Sequence, residues 1–390
     1  MLGKEPETLL THAGNAPEKN QGIVNPPVYH ASTVIFPSVA YMEEGAKQPY
    51  EGVRYGRYGT PTSRAFEDAV AALEGGYRAV VTSSGLNAIT TALLAFVKSG
   101  DHLLLVDNCY YPTRQFAEKI LSGLGVTTSY YPPEVGENIA DYIRPNTRMI
   151  YLESPGSFSF EMQDVPAITR VAKERGILTM MDNTWATPLF FQPLAHGVDL
   201  SIQAATKYIV GHSDAMLGVI TAKEEVFWPL KTIAAILGVC AGPDDVYLGL
   251  RGLRSLAARL AMHQQHALTV AEWLSRRSEV VRVIHPARPD HPGYHLWQRD
   301  YHGSTGLFAV ILDKVFDKEA VTRMVESCRL FGLGYSWGGY ESLIMPFFSP
   351  PPRDCTPWQQ EGTLLRLHVG LEAVTDLLHD LEEGLKHLHG

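Results

Sequence analysis

Short apolar segments of strand length alternate with helix-like segments across the central part of the chain, and this alternation limits its fold most strongly. The apolar segments lack the two-residue periodicity of half-exposed strands, which indicates that both faces of the sheet are covered. Strands that alternate with helices favour a mostly parallel sheet of the α/β class. The predicted strands are 79–82, 102–106, 148–153, 177–182, 200–204 and 218–222, and the predicted helices are 86–98, 112–124 and 166–175.

Four polar residues lie at or just after the ends of these predicted strands: Asp107, Glu153, Asp182 and Lys207. In open parallel sheets, ligands bind beyond the carboxyl ends of the strands. We therefore expect these four side chains to surround a ligand site.

The length of 390 residues predicts more than one domain, because a single hydrophobic core seldom serves a chain of this size. Residues 1–57 are aromatic-rich but not periodic, and we expect this N-terminal arm to contact a neighbouring subunit. We predict a large ligand-binding domain over 58–255 and a smaller α/β C-terminal domain over 256–390. A long helical region at 244–278 leads into the smaller domain, with strands at 306–312 and 363–369 and helices at 318–328 and 373–389.

The net charge of −9 argues against a nucleic-acid partner, because the chain has no basic excess to neutralise phosphates. Its four cysteines are scattered, which predicts free thiols in a reducing compartment. No segment approaches the roughly 20 apolar residues of a membrane span, and the first residues lack the apolar core of a signal peptide. We expect a soluble cytoplasmic protein with no membrane contact.

Lys207 and Asp182 are the two kinds of side chain that a pyridoxal phosphate site needs most. A lysine amine can form a Schiff base with the cofactor aldehyde, and an aspartate can keep the pyridine nitrogen protonated. In a partly dry cleft beside other cations, the pKa of the Lys207 amine is expected to be lowered. The alternative is an exposed lysine after a strand, the common environment of lysines.

The segment 82–86, Thr-Ser-Ser-Gly-Leu, follows a predicted strand and begins a predicted helix. Backbone N–H groups at a helix N-terminus bind anions such as phosphate, although the same segment also fits an ordinary helix cap. It matches neither of the glycine-rich nucleotide-binding patterns. An aromatic side chain of the nearby segment 108–111 could stack on a bound ring, or pack as an ordinary loop residue.

Arg366 places a cation inside an apolar predicted strand, so it needs an anionic partner. The α-carboxylate of an amino-acid substrate could be that partner, gripped through two hydrogen bonds. An internal salt bridge to Asp or Glu is the alternative.

Two further patterns suggest other chemistry and are weaker. Residues 211–215, Gly-His-Ser-Asp-Ala, resemble the nucleophile elbow of serine hydrolases, but a strand is predicted after them where an elbow needs a helix. The histidine groups, at positions 263 and 266 and at 285, 291 and 295, lack further ligands at metal-binding spacing. We interpret these histidines as surface and loop residues and expect no metal site.

Four longer segments resemble the pyridoxal phosphate enzymes of cysteine and methionine metabolism, and the likeness extends from about Thr8 to the C-terminus. The segments are 152–156, 182–185, 201–214 and 335–343. The resemblance implies the aminotransferase-like fold, also called fold type I. It also implies a homotetramer built as a dimer of active dimers.

The resemblance is strongest to members that cleave a carbon–sulfur bond by β-elimination. It implies cleavage of L-cystathionine to homocysteine, pyruvate and ammonia in methionine biosynthesis. Trp337 and Tyr340 match these members, whereas γ-specific members tend to have smaller aliphatic residues there. A γ-specific activity, a broad cysteine desulfhydrase and a catalytically silent binding protein are the alternatives.

The resemblance also assigns roles to individual residues. Lys207 is expected to be the Schiff-base lysine and the catalytic base, Asp182 the partner of the pyridine nitrogen, and Tyr110 a ring-stacking residue that contacts substrate and adjusts protonation. The other expected contacts are Gly85, Leu86 and Thr206 for the phosphate, Tyr55 and Arg57 for the phosphate of a neighbouring subunit, and Arg366, Ser336 and Trp337 for the substrate. Ala204 departs from the family pattern, where serine is common, so one phosphate hydrogen bond is expected to be absent or supplied by another group.

Overall fold

A computed structural model describes residues 4–389, and these residues contain two β-sheets. The strands of the larger sheet are β1 (Arg78–Thr82), β2 (His102–Val106), β3 (Thr127–Tyr131), β4 (Thr147–Glu153), β5 (Leu178–Asp182), β6 (Leu200–Gln203) and β7 (Gly218–Ala222). Their order across the sheet is β1-β7-β6-β5-β4-β2-β3.

The larger sheet is mostly parallel, which confirms the predicted α/β class. Strands β3, β2, β4, β5 and β6 run parallel to their neighbours, and β7 runs antiparallel to both β6 and β1. The central strands are buried along nearly their whole length, as their apolar sequences predict. The carboxyl ends of β4, β5 and β6 therefore meet at one edge of the sheet.

Helices cover both faces of this sheet and continue to the C-terminus. In chain order they are α1 (Pro6–His12), α2 (Val39–Ala46), α3 (Pro61–Glu74), α4 (Gly85–Phe96), α5 (Tyr111–Phe116), α6 (Val165–Glu174), α7 (Thr187–Phe190), α8 (Glu224–Ile236), α9 (Pro243–Leu274), α10 (Tyr294–Asp300), α11 (Lys318–Ser327) and α12 (Val374–Lys386).

Local sequence signals explain where the helices beside the site begin. The Thr60 hydroxyl caps α3, with Pro61 at the first helical position, and Ser84 caps α4 by accepting the N–H of Asn87. Helix α4 buries Ile89 and Leu93 on one face, at the four-residue spacing of an amphipathic helix. Its N-terminus is thereby fixed at the carboxyl end of β1.

The smaller sheet belongs to the C-terminal part of the chain. Its strands are β8 (Val280–Ile284), β9 (Leu307–Leu312), β10 (Gly332–Leu333), β11 (Leu343–Phe347) and β12 (Leu364–His368), in the order β10-β11-β12-β9-β8. It is antiparallel except between β10 and β11. Helices α11 and α12 and the second half of α9 share a hydrophobic cluster with this sheet.

Helix α9 joins the two parts of the molecule without interruption. Leu250 and Leu253, in its first half, belong to a cluster under the larger sheet, whereas Val270 and Leu274 belong to the cluster of the smaller sheet. The boundary that we predict at 255/256 falls inside this helix. The domain limits themselves stay a prediction.

The sequence patterns missed several strands and misplaced the histidines. Strand β3 is polar and partly exposed, and β11 contains Pro346, so neither has a strong strand pattern. The interpretation of the histidines as surface residues is wrong for His263 and His285, which are fully buried, and for His266 and His291, which are almost fully buried. His263 Nδ1 lies 2.8 Å from the Val369 carbonyl oxygen, a partner that sequence spacing does not reveal.

Candidate active site

A cavity of about 540 Å³ opens where the carboxyl ends of the large-sheet strands face β11 and β12. Its volume lies in the range usual for small-molecule sites. Most side chains predicted for the site line it: Gly85, Leu86, Tyr110, Asp182, Thr206, Lys207, Ser336, Trp337 and Arg366. Ala204 also lines it. The grouping of Asp182 with Lys207 and Glu153 agrees with the expectation from strand ends.

Lys207 lies in the tight turn that follows β6. Its backbone N–H donates to the Ala204 carbonyl, and its Nζ donates to Ser336 Oγ over 2.6 Å. The amine also lies 5.3 Å from the centre of the Trp337 ring. Burial, together with the positive charge of Arg366, lowers the pKa of Lys207 to about 8, which greatly enlarges the neutral, nucleophilic fraction at neutral pH.

Asp182 ends β5 beside β6, and its carboxylate faces the same cavity. Its Oδ1 accepts the backbone N–H of Thr184 at 2.9 Å, and no Lys, Arg or His in residues 4–389 forms a salt bridge with it. Burial raises the pKa of Asp182, although the charge of Lys207 acts in the opposite direction. The buried carboxylate therefore lacks a directly paired cation, and a protonated ring nitrogen would supply one.

Glu153 is a site residue to which the sequence reasoning gave no role. It lies opposite Asp182 in the register of β4 and β5, and burial and the charge of Asp182 raise its pKa to about 8. Its carboxylate accepts the Tyr110 backbone N–H at 2.7 Å and the Ser157 hydroxyl at 2.6 Å. Glu153 thus holds the loop that carries Tyr110. In the sequence, the position of Glu153 at the end of a predicted strand is the only feature that points to the site.

The N-terminus of α4 forms a cradle for an anion. Gly85 and Leu86 are its first two helical residues, so their N–H groups have no partner within the helix. A Cβ atom on Gly85 would lie 2.4 Å from the Cβ of Ala204, so only glycine fits there. The small side chain of Ala204 is therefore part of the same close packing.

Thr206 lines the cavity, but its hydroxyl already has partners. Oγ1 donates to the Leu217 carbonyl at 3.1 Å and accepts the Leu217 N–H at 2.8 Å. Thr184, two residues after Asp182, also lines the cavity, and its hydroxyl accepts the Ala204 N–H at 2.8 Å. These two threonines fix the turns beside Lys207 and Asp182.

Arg366 lies on β12 and points its guanidinium into the cavity. Nη2 donates to the Ser336 carbonyl at 3.1 Å, and no acidic side chain in the described range forms a salt bridge with it. Burial lowers its pKa to about 10, so the guanidinium remains charged at neutral pH. The alternative of an internal salt bridge is therefore wrong, and the cation is available to an anionic ligand.

The turn from Ser336 to Gly339 packs directly against Lys207. Ser336 adopts a φ of 70° and Gly338 a φ of 87°, and a Cβ on Gly338 would lie 2.9 Å from the backbone of Lys207. His368, two residues beyond Arg366, accepts the Gly338 N–H at 3.1 Å. Trp337 lines the cavity, whereas Tyr340 points elsewhere and is 56% exposed.

Aromatic side chains form the outer wall of the cavity. The Tyr110 ring is 43% exposed, and burial and nearby carboxylates raise its pKa, so the phenol stays protonated at neutral pH. Phe158 and Phe347 pack edge to face, with ring centroids 4.5 Å apart, and close the wall between β4 and β11. The cavity thus has a largely apolar lining with a few polar groups.

Tyr55 and Arg57 lie outside this cavity. Arg57 lines a separate, small cavity of about 80 Å³, stacks on Tyr58 and donates to the Ala235 carbonyl. Tyr55 is 43% exposed. Within one chain, therefore, these two side chains do not join Lys207.

Two other sequence features also lie apart from the cavity. Ser213 donates to Glu341, and β7 follows it, so the helix that a nucleophile elbow needs is missing at that point. Asp107 points away from the cavity toward residues 354–356, so its predicted place among the ligand-facing side chains is wrong.

The site therefore contains an amine of lowered pKa, a buried carboxylate without a paired cation, a helix N-terminus and an arginine without an acidic partner. An aldehyde, a basic ring nitrogen and a phosphate on one molecule match the first three groups in that order. An amino-acid carboxylate matches the fourth. The donor set fits pyridoxal phosphate and an amino-acid substrate.

Comparison with known proteins agrees with this chemistry. A profile of the Cys/Met metabolism PLP-dependent enzymes matches residues 7–386. The chain is 42% identical to cystathionine beta-lyase MetC of Escherichia coli K12, over 98% of this chain and 99% of the relative. It is 39% identical to the L-alanine/L-glutamate racemase of Wolbachia pipientis wMel, over 98% of this chain and 97% of the relative.

Among solved structures, metB from Corynebacterium glutamicum superimposes with a TM-score of 0.90, at 29% identity and with 99% of both chains covered. The fold is thus that of a family whose profile matches almost every residue of this chain. The chain belongs to the pyridoxal phosphate-dependent enzymes of cysteine and methionine metabolism.

Proposed function

We propose that this enzyme is a carbon–sulfur β-lyase that cleaves L-cystathionine to homocysteine, pyruvate and ammonia. The observation that carries the proposal is the position of Lys207, whose amine of lowered pKa shares one cavity with the Asp182 carboxylate and the Arg366 guanidinium. The high identity to a cystathionine beta-lyase over nearly the whole chain supports the choice of substrate.

Each polar group of the cavity has a role in this reaction. Arg366 holds the substrate carboxylate, and the neutral Lys207 amine removes the Cα proton. Pyridoxal phosphate, when bound, supplies an electron sink for the carbanion, and Asp182 stabilises the protonated ring nitrogen that makes this sink effective. Gly85 and Leu86 hold the phosphate through their N–H groups, with Thr206 beside them.

Tyr110 and the Ser336–Trp337 turn complete the substrate side of the cavity. The Tyr110 ring would cover one face of the bound cofactor ring, and its protonated phenol could donate a proton to the departing sulfur. Ser336 Oγ accepts from Lys207 and so keeps the amine aimed into the cavity. Trp337 and the Phe158–Phe347 pair exclude water around the reacting carbon.

The test is the identity of the keto acid formed from L-cystathionine by the purified, cofactor-loaded protein. Pyruvate together with homocysteine is the expected result and requires cleavage of the Cβ–S bond. 2-Oxobutyrate together with cysteine would replace the proposal with a γ-lyase. Pyruvate from cysteine or cystine at equal kcat/KM would indicate a broad cysteine desulfhydrase.

The racemase relative favours a second candidate function, the racemisation of a small amino acid such as alanine. Racemisation begins with the same removal of the Cα proton but returns a proton to the opposite face. Chiral separation of products from L-alanine distinguishes the two activities. D-alanine formed at a higher kcat/KM than pyruvate from L-cystathionine would make racemisation the main activity.

Cofactor capture should depend on pH through Lys207. Because its pKa is lowered to about 8, the neutral amine increases as pH rises through that value, and the rate of capture should rise and level off above it. Stopped-flow absorbance of the apoprotein mixed with pyridoxal phosphate between pH 6.5 and 9.5 measures this rate. The same series with N-α-acetyllysine corrects for ionisation of the cofactor itself. A rate that still rises at pH 9.5 without levelling off, as expected for an amine with the ordinary pKa of 10.5, would contradict the proposed environment.

We further propose that two copies of the chain complete each other's sites, within a homotetramer. Ile23, Val24 and Ile35 of the N-terminal arm are exposed, and Arg57 lies outside the cavity of its own chain. Exposed apolar side chains in one segment favour burial against a partner.

Complementation between two inactive variants tests this arrangement. Arg57→Ala and Lys207→Ala should each lose activity alone. After subunit exchange in an equal mixture, up to about a quarter of wild-type activity should return, since about half of the dimers are mixed and one of the two sites in each mixed dimer is intact. Sedimentation velocity in the analytical ultracentrifuge measures the number of subunits in the assembly. A monomer with full activity, or no recovery after proven exchange, would contradict the proposal.

We also propose that the enzyme is located in the cytoplasm. No helix within residues 4–389 is long and apolar enough to cross a membrane. All four cysteines are free thiols, which supports a reducing compartment such as the cytoplasm.

A further inference from the structure

Asp107, at the carboxyl end of β2, forms an extensive set of contacts that the reaction does not use. Its side chain is fully buried, and its two oxygens accept the backbone N–H groups of Asp354, Cys355 and Thr356 at 2.9–3.1 Å. Arg114 also donates to it at 2.7 Å. Several donors around one carboxylate offset the cost of burying its charge and lower its pKa.

The segment held by Asp107 comes from the C-terminal part of the chain. Residues 353–356 lie in the connection between β11 and β12, almost 250 positions later in the chain. The same segment has a second attachment, because Arg353 donates to Glu161 at 2.5 Å, and the Arg353 side chain is only 4% exposed. Glu161 in turn accepts from Asn108, the neighbour of Asp107.

These contacts join two opposite walls of the cavity. Asp107 lies three residues before Tyr110, on one wall. Strands β11 and β12, which the segment connects, carry Phe347 and Arg366 on the other wall. A shift of the 353–356 segment relative to Asp107 would therefore change the spacing between Tyr110 and Arg366.

We infer that Asp107 is a positioning residue that fixes the distance between the Tyr110 side and the Arg366 side of the substrate cavity. The inference rests on the proposed function, which assigns Tyr110 to the cofactor ring and Arg366 to the substrate carboxylate. Asp107 touches neither cofactor nor substrate, so it acts on substrate affinity through Arg366 and leaves the proton transfer at Lys207 largely intact.

The first test compares Asp107→Asn with the wild-type holoenzyme. The neutral amide loses the charge-assisted hydrogen bonds and presents an NH₂ group to donors, so the segment should be held more loosely and open more often. We expect KM for L-cystathionine to rise about tenfold with a much smaller change in kcat, because substrate alignment is lost while the base remains.

Limited trypsin digestion gives a second readout that is independent of activity. The Arg353 side chain, which trypsin must bind, is 4% exposed and pairs with Glu161 in the intact protein, so cleavage after Arg353 should be slow. In Asp107→Asn, cleavage after Arg353 should be at least about tenfold faster, because local detachment exposes the segment. Mass spectrometry of the fragments identifies the cut.

Asp380 offers a matched control in the C-terminal part of the chain. Its carboxylate also accepts three backbone N–H groups, those of Arg329, Leu330 and Phe331, at 2.8–3.1 Å. Asp380→Asn should lose about as much thermal stability as Asp107→Asn, and it should become sensitive to trypsin at Arg329. Its KM should stay near the wild-type value, since it does not join the two cavity walls.

Glu161→Gln provides a second variant should Asp107→Asn fail to fold. It weakens the Arg353 attachment and leaves Asp107 unchanged, so a smaller KM increase and faster cutting at Arg353 are expected. Unchanged KM and trypsin resistance in a folded Asp107→Asn or Glu161→Gln protein would overturn the inference. A wild-type protein without β-lyase activity would refute the proposed function, while the digestion pattern would still test the attachment.

Discussion

Replacement of Lys207 by alanine is expected to reduce β-elimination by at least about 10³-fold, since the variant loses both the amine that bonds the cofactor and the catalytic base. The fold should survive, because the Lys207 side chain donates only to Ser336 Oγ. Pyruvate release from L-cystathionine, followed with a coupled assay on protein saturated with pyridoxal phosphate, measures the effect.

Lys223→Ala is the control for this experiment. Lys223 is also partly buried and hydrogen-bonded, to the Gly197 carbonyl and to Asp199, but it lies away from the cavity. It should keep near wild-type turnover. Substantial β-elimination by Lys207→Ala, in protein whose circular dichroism matches wild type, would remove Lys207 from its proposed role.

Replacement of Arg366 by lysine should lower kcat/KM by about 10²-fold, mostly through a higher KM. An ammonium keeps the positive charge but cannot form two parallel hydrogen bonds with a carboxylate, and such charge-assisted bonds are worth about 1.5–3 kcal/mol each. Steady-state kinetics with L-cystathionine measure the change. The absorbance of the bound cofactor should be unaltered, because Arg366 is proposed to bind substrate alone.

Arg254→Lys separates the loss of a substrate contact from the loss of a partly buried arginine. Arg254 on α9 donates to the Leu10 and Ala13 carbonyls, far from the cavity. This variant should lose thermal stability with little change in kcat/KM. An Arg366→Lys enzyme whose KM equals that of wild type would show that another group holds the substrate carboxylate.

The positions of Asp182 and Lys207 could be predicted because the physics involved is local. Asp182 ends one buried apolar strand and Lys207 follows another, and parallel strands bring their carboxyl ends to one edge of the sheet. The helix that begins at Gly85 was foreseeable for the same reason, since a serine cap follows a strand. Resemblance to a family added the identities of Arg366, Ser336 and Trp337 as neighbours.

Other contacts depend on long-range packing that no local pattern encodes. Asp107 was expected in the cavity because it ends a strand, yet three N–H groups of a proline-rich loop attract its carboxylate away. Polar strands such as β3 have no apolar pattern, because part of each strand faces solvent. Burial of His263 similarly depends on a carbonyl partner 106 positions away.

The contact between Gly338 and the backbone of Lys207 has a consequence for laboratory evolution of this enzyme. Libraries that randomise residues 336–339 to widen the substrate range would also disturb the reactive lysine, so most members would be inactive. Phe158 and Phe347 line the same cavity, pack against each other and lie outside residues 336–339 in the chain. Diversity introduced at these two positions should therefore yield the larger share of active clones with altered selectivity.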